Sequence, residues 1–160
     1  MKKTKFDFDL IVLGSGAGGS AAANIAAKNG LKVAIVEKDI FGGESPNYGD
    51  IPIKTLLHAA NAYAGARRAA RYGIRSNTLG YNFPTIAAWK KLVVKRTGAH
   101  DNQKFYEASG IKTYRGNARF ITPNEITVNR QHISNEKYII ATNTEQKLPN
   151  IKNIKNMKYH

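Results

Sequence analysis

The stretch DLIVLGSGAGGSAAANIAAKNGLKVAIVE, from Asp9 to Glu37, constrains this chain more than any other. Leu10 to Leu13 is an apolar, branched run with the length of a buried strand. It meets a turn in which Gly14, Gly16 and Gly19 stand in G-x-G-x-x-G spacing. An alanine-rich helix follows from about Gly18 to Asn29, and Gly30 is its natural stop. Lys32 to Val36 is a second buried strand, with Glu37 at its tip. In such a unit the first glycine permits the tight turn, the second lets backbone approach a pyrophosphate, and the third lets helix and strand pack closely. The free N–H groups and positive end of the helix face the phosphates. Gly14, Ser15, Gly16, Ala17 and Gly18 are therefore the expected pyrophosphate cradle. Glu37, with Lys38 beside it, is the expected partner of an adenosine ribose. The glycine spacing alone is weak evidence; strand, turn, helix, strand and acid in register make it strong.

A chain of 160 residues is one domain by size, or a piece of a larger one. No run of about 18 apolar residues points to a membrane span. The opening MKKTKFDFDLIVLG imitates the basic start of a signal peptide, but Asp7 and Asp9 break its apolar segment. The strand there is also needed by the fold, so an unprocessed cytoplasmic protein is expected. There are no cysteines, which removes disulfides, thiolate metal sites and thiol nucleophiles together. His58, His100, His132 and His160 carry no metal-ligand spacing, so no metal site is expected.

The net charge is +14, and residues 51–100 hold nine Lys or Arg with no Asp or Glu. Such a surface can attract phosphate ligands, RNA or an acidic partner. No nucleic-acid motif accompanies it, and a solvated basic face is the reading adopted, with neither nucleic acid nor membrane as a partner.

Beyond Glu37, a loop over Lys38–Asp50 leads into a helix over Ile51–Tyr72, with Pro52 in its first turn and Gly73 as its stop. Ile53, Leu56, Leu57 and Ala60 form its expected apolar face. Gly73 to Phe83 is a connector, and Pro84 opens a second helix to about Ser109, which Gly98 kinks or interrupts. Trp89 is read as a core anchor of that helix. From Ile111 the period becomes that of strands: IKTYRG, Ala118–Ile121, Glu125–Val128 and His132–Ile133, with turns at Pro123-Asn124 and Asn129–Gln131. These make a small antiparallel meander, and Lys137–Ala141 is a final buried strand. The expected fold is α/β: a Rossmann-type parallel sheet with helices and a small antiparallel β-meander.

The segment GGESPNYGDIPIKTLLHAA resembles the active-site stretch of the pyridine nucleotide-disulfide oxidoreductases, the class of dihydrolipoyl dehydrogenase, glutathione reductase and mercuric reductase. Gly42, Gly43, Glu44, Pro46, Asn47, Gly49, Pro52 and Lys54 fit that family's pattern. Ser45 and Asp50 stand where the pattern has its two redox cysteines, and Ile53 where a small hydroxyl residue is usual. The resemblance implies FAD as cofactor, with Gly43, Glu44, Ser45 and Lys54 along the flavin. It also implies that Ala118, in Gly116-Asn117-Ala118, lies near the adenine, and that Ala141, Thr142 and Asn143 close over the cofactor. Asn143 replaces a family glycine; it is the least costly substitute if the backbone needs positive φ, and an obstacle if the cofactor must come close.

The disulfide relay of the family requires thiolates, so disulfide reductase activity is not expected and no residue is assigned as catalytic. The resemblance covers about the first third of a family member. Residues 1–147 are expected to be an FAD-binding segment, and residues 148–160 a linker toward an absent NAD(P)-binding domain. NAD(P)H enters only with that domain, and a homodimer only with a full-length form. Two alternatives stay open: a non-catalytic relic acting as an interaction module through its basic region, and a Rossmann domain binding NAD.

Overall fold

A computed structural model of the chain describes residues 6–75, 78–97, 103–144, 147, 149–152 and 154. The expected tail over 148–160 lies mostly outside them, as do Asn77, Gly98, His100 and His160. The opening unit forms as its pattern requires. Strand β1 (Phe8–Leu13) leads through the glycine turn to helix α1 (Ala17–Lys28) and strand β2 (Val33–Glu37). Gly30, at φ +82°, lets the chain turn back after α1. A single turn α2 (Glu44–Asn47) and helix α3 (Asp50–Arg68) follow, and a 3₁₀ turn over Ala69–Tyr72 ends at Gly73, φ +80°.

Helices α4 (Phe83–Arg96) and α5 (Gln103–Ala108) precede four strands: β3 (Lys112–Arg115), β4 (Ala118–Thr122), β5 (Glu125–Val128) and β6 (Gln131–Ile140). The sheet order is β3-β2-β1-β6-β5-β4. The first four strands run parallel, and β4, β5 and the first part of β6 are antiparallel. The α/β class, with a parallel sheet and a small meander, is thus the architecture observed.

Two apolar clusters cover the two faces of β1 and β2. Leu10, Val12, Val33 and Ile35 pack under Ala23 and Ala26 of α1, with Phe41, Tyr106 and Ile111. Phe8, Ile11, Leu13, Ala34 and Val36 pack against Ile126, Val128 and Ile133 of the meander. From Leu10 onward the period-2 alternation along β1 therefore sends one set of side chains to a helix and the other to the curled-over strands, and Phe8 at its start joins the second set. Asp7 ties the start of β1 to β6, its carboxylate accepting from the Ser134 N–H at 2.9 Å and the Ser134 hydroxyl at 2.7 Å.

Several expectations need correction. IKTYRG is not part of the meander; β3 pairs in parallel with β2 at the opposite edge of the sheet. His132–Ile133 and Lys137–Ala141 are not separate strands but stretches of one ten-residue strand, β6. Its first residues pair with β5 and its last with β1. The end of β6 is not buried either: Ile139 and Ile140 are exposed. A single turn, α2, replaces pure loop, because the Asn47 amide donates to the Gly43 carbonyl at 2.7 Å.

The expected apolar face of α3 is rotated. Ile53 and Leu57 are each 55% exposed, while Pro52 and Thr55 are buried. Thr55 can face inward because its hydroxyl donates to the Ile51 carbonyl at 2.8 Å. The long second helix is two helices. Asn82 caps α4, its side-chain oxygen accepting from the Thr85 N–H at 2.9 Å. Trp89 is not a core anchor: it is 37% exposed and lies against His58.

Gly19 is the position that most tightly limits this packing. A Cβ there would fall 1.9 Å from the Gly14 carbonyl oxygen, whereas one at Gly18 meets nothing within 4 Å. Gly19→Ala is expected to lower the unfolding free energy by about 2–3 kcal/mol. Gly18→Ala is expected to be neutral or stabilising by up to about 1 kcal/mol. Urea denaturation of the two variants beside the parent chain checks both.

Candidate functional site

One open cleft of about 1680 Å³ runs along the C-terminal ends of β1, β2 and β6. It is larger than the roughly 300–1,000 Å³ typical of drug-sized pockets, as an extended ligand requires. Its wall is built chiefly from the β1–α1 turn, the segment from Glu37 to Asp50 and the end of β6, with Phe105 and Tyr106 and the turn from Gly116 to Ala118 beside them.

The turn presents backbone. Helix α1 begins at Gly16 without a side-chain cap, and no acid lies in its first turn. Its first N–H groups and the positive end of its dipole are thus left to the cleft. A Cβ at Gly16 or Gly18 would meet nothing within 4 Å, so this space is open to a ligand rather than filled by protein. Gly14 differs: at φ +96°, a Cβ would lie 2.3 Å from the Ala141 carbonyl oxygen. The Gly14 N–H donates to Val36 at 2.8 Å and the Ala141 N–H to Leu13 at 2.7 Å, which draws the three strand ends together. A second close approach joins Gly43, φ +76°, to Gly16, where an added Cβ would come within 2.7 Å of the Gly16 Cα.

Most of the expected site residues share this cleft: Gly14, Gly16, Ala17, Gly18, Glu37, Lys38, Gly43, Glu44 and Ser45, with Ala118, Ala141, Thr142 and Asn143. Two do not line it. Ser15 is fully buried, its side chain turned inward beneath the turn. Its N–H and hydroxyl both donate to Glu37 Oε2, at 2.8 and 2.7 Å. Lys54 has a side chain 72% exposed and pairs with Asp50, which does line the cleft, at 2.8 Å. Asn143 has φ +69°, so the backbone does need the left-handed region at this position, which Asn occupies at small cost.

Phe41, Tyr48, Phe105 and Tyr106 also line the cleft and were not among the expected site residues. Tyr106 is buried, and its hydroxyl donates to the Ser15 carbonyl at 3.3 Å and bonds the Ser20 hydroxyl at 3.0 Å. Burial holds the Tyr106 hydroxyl above its usual pKa, so it remains a protonated donor. Its only advance signal is an aromatic on a short amphipathic helix, which does not separate core from site.

Ser45 and Asp50 are joined by a hydrogen bond from the Ser45 hydroxyl to Asp50 Oδ1. Lys54 donates to Asp50 Oδ2. These donors, Lys54 first and Ser45 second, hold the Asp50 carboxyl below its ordinary value. The result is an anion at the cleft mouth with two bound donors. Among the described residues, no group of three or more His, Cys, Asp or Glu side chains could hold a metal ion. None of the described helices is long and apolar enough to cross a membrane.

Residues 8–160 match the family described as pyridine nucleotide-disulphide oxidoreductase. The chain is 35% identical over 146 residues to a glutathione reductase of Burkholderia cepacia, covering 91% of this chain and 32% of that protein. It is 32% identical over 150 residues to a dihydrolipoyl dehydrogenase of Acholeplasma laidlawii, covering 93% and 44%. A mercuric reductase of Staphylococcus aureus is 31% identical over 153 residues, covering 96% and 28%. The chain thus spans less than half the length of each of these relatives.

A carboxyl held down by donors titrates low and recovers when they are removed. The Asp50 carboxyl carbon, followed by NMR, is expected to titrate with a midpoint below 3.8. Lys54→Met should raise that midpoint most and Ser45→Ala less. Any stabilisation from this cluster is present at neutral pH and is lost as pH falls through the depressed midpoint.

Proposed function

The chain belongs to the pyridine nucleotide-disulphide oxidoreductase family, and from that premise we propose that it is an FAD-binding segment without the family's redox dithiol. The observation that carries the reading is the meeting of three features in one cleft: the uncapped start of α1, the carboxylate of Glu37, and the Gly42–Asp50 segment. The first suits a pyrophosphate and the second a ribose, as in any dinucleotide site. The third distinguishes FAD from NAD, because the resemblance places it along a flavin.

In this reading Gly14, Gly16, Ala17 and Gly18 hold the pyrophosphate by backbone N–H groups, and Ser15 serves from beneath. Glu37 takes the ribose, with Lys38 beside it. Ala118, Ala141, Thr142 and Asn143 close over the cofactor, and Gly43, Glu44 and Ser45 lie along the flavin. Bound FAD would supply hydride and electron-transfer chemistry. The chain's own residues bind and orient it, and Tyr106 and Phe41 support the site from the core.

Without a cysteine the chain cannot pass electrons through a dithiol, so any acceptor must take them from the flavin itself. NAD(P)H as donor, the substrate, and the pairing of two copies belong to this proposal only in a protein of the relatives' full length. Residues 1–147 are the FAD-binding segment and the remainder the connection onward.

The test is direct. The purified chain mixed with FAD should quench flavin fluorescence and show a shifted flavin spectrum, and excess NAD should not displace the flavin. Gly16→Ala adds a Cβ that meets no protein atom within 4 Å, so its melting temperature should be little changed. Its FAD affinity should fall at least about tenfold, which is ~1.4 kcal/mol. No flavin uptake by the parent chain, or easy displacement by NAD, overturns the reading.

A further inference from the structure

Glu37 is almost wholly buried, and its carboxylate is already engaged by the protein. Oε2 accepts two hydrogen bonds from Ser15, one from its N–H at 2.8 Å and one from its hydroxyl at 2.7 Å. Oε1 accepts one, from the Asp39 N–H at 2.9 Å. A carboxylate offers about four acceptor positions, two on each oxygen. Among the described residues three are filled, and the one that is left is on Oε1.

The arrangement around Ser15 has a fixed direction. Its hydroxyl oxygen accepts the Gly42 N–H at 3.0 Å, so its single proton is committed to Glu37. Its carbonyl accepts from Tyr106 Oη at 3.3 Å. Ser15 is 0% exposed, so water cannot take over these bonds without opening the loop. One hydroxyl thereby ties the β1–α1 turn, the acid at the end of β2 and the start of the following glycine segment.

We propose that Ser15 is a positioning residue that leaves Glu37 able to take one ribose hydroxyl only. The site then reads a single hydroxyl of an adenosine nucleotide instead of gripping the 2′,3′-diol with both carboxylate oxygens. This rests on the reading of the cleft as a nucleotide site. The remaining acceptor is the hydrogen-bonding partner for one hydroxyl, and the other ribose hydroxyl stays with solvent. A hydrogen bond to a charged, buried acceptor is worth enough to be measured one hydroxyl at a time.

The test uses the whole chain and three probes: ADP, 2′-deoxy-ADP and 3′-deoxy-ADP, titrated by calorimetry. One deoxy analogue should bind about tenfold or more weaker than ADP, and the other within about twofold of it. Equal losses for both analogues would mean that the diol is gripped, and equal binding of all three that Glu37 touches no ribose; either overturns the proposal. If ADP itself does not bind, the nucleotide reading fails and this inference falls with it.

Ser15→Ala then tests the positioning role. Removing the hydroxyl releases one of the bonds that hold the Glu37 carboxylate, so the carboxylate can turn Oε2 toward the cleft, and the formerly tolerated analogue should lose affinity by about fivefold or more against ADP. A purely structural role would weaken all three probes together and leave their ratios unchanged, which would remove Ser15 from the proposal. Should Ser15→Ala not fold, the analogue series on the parent chain still decides the single-hydroxyl contact. Ser15→Cys, which keeps only a weaker donor in the same place, then decides the positioning role: it should shift the analogue ratios in the direction expected of Ser15→Ala, and unchanged ratios would count against it.

Discussion

The close approach of the β1–α1 turn to the end of β6 sets the rest of the structure. Gly14 lies against the Ala141 carbonyl, and Gly19 against the Gly14 carbonyl, at distances that leave no room for a Cβ. Because the helix can enter so close to the strand ends, its N-terminus points along the edge of the sheet where β1, β2 and β6 finish. Its unpaired N–H groups, the Glu37 carboxylate and the 141–143 segment then face one space. A larger side chain at either glycine would push the helix outward and separate these groups, even if every strand formed.

β6 makes that closeness possible. One strand joins the two halves of the sheet, antiparallel to β5 over its first residues and parallel to β1 over its last. The change falls at Asn135, which is fully buried and whose backbone exchanges bonds with Asn124 on one side while its amide donates to Lys137 on the other. The meander is thereby held over one face of β1 and β2, burying Ile126, Val128 and Ile133. Burial of a full aliphatic side chain contributes about 1.5–3 kcal/mol. These contacts therefore do more than decorate the site; they fix where β6 ends, and so where Ala141 meets Gly14.

Legibility in the sequence followed the range of the forces. The β1–α1–β2 unit was readable because its signals are local: an apolar run, glycines at set spacing, an alanine helix and an acid at the strand tip. The turn at Asn129 and the stop at Gly73 were readable for the same reason, since each needs positive φ. β6 was split in the reading because polar Asn135 and Glu136 interrupt its apolar pattern, and only its two different neighbours make it continuous. The face of α3 was misread because Ile51, Ile53, Leu56 and Leu57 give apolar residues on more than one side. Periodicity locates a stripe but does not say what lies opposite. Ser15 was placed in the cradle by its neighbours in the motif; its inward turn depends on Glu37, 22 positions away, and no local pattern carries that.

The same distinction bears on the start of α3. A Ser and an Asp at positions 45 and 50 are unrelated in sequence pattern, yet the fold joins them and adds Lys54 from the next turn of the helix. This cluster holds its charge by local pairing, whereas a redox dithiol works by exchanging bonds with partners that come and go. The Lys54 ammonium offsets the Asp50 charge, so the preference of the cleft for negative groups is set mainly by the start of α1. An extended ligand with phosphates is best accommodated with those phosphates against the open N–H groups of that helix, where no side chain caps them.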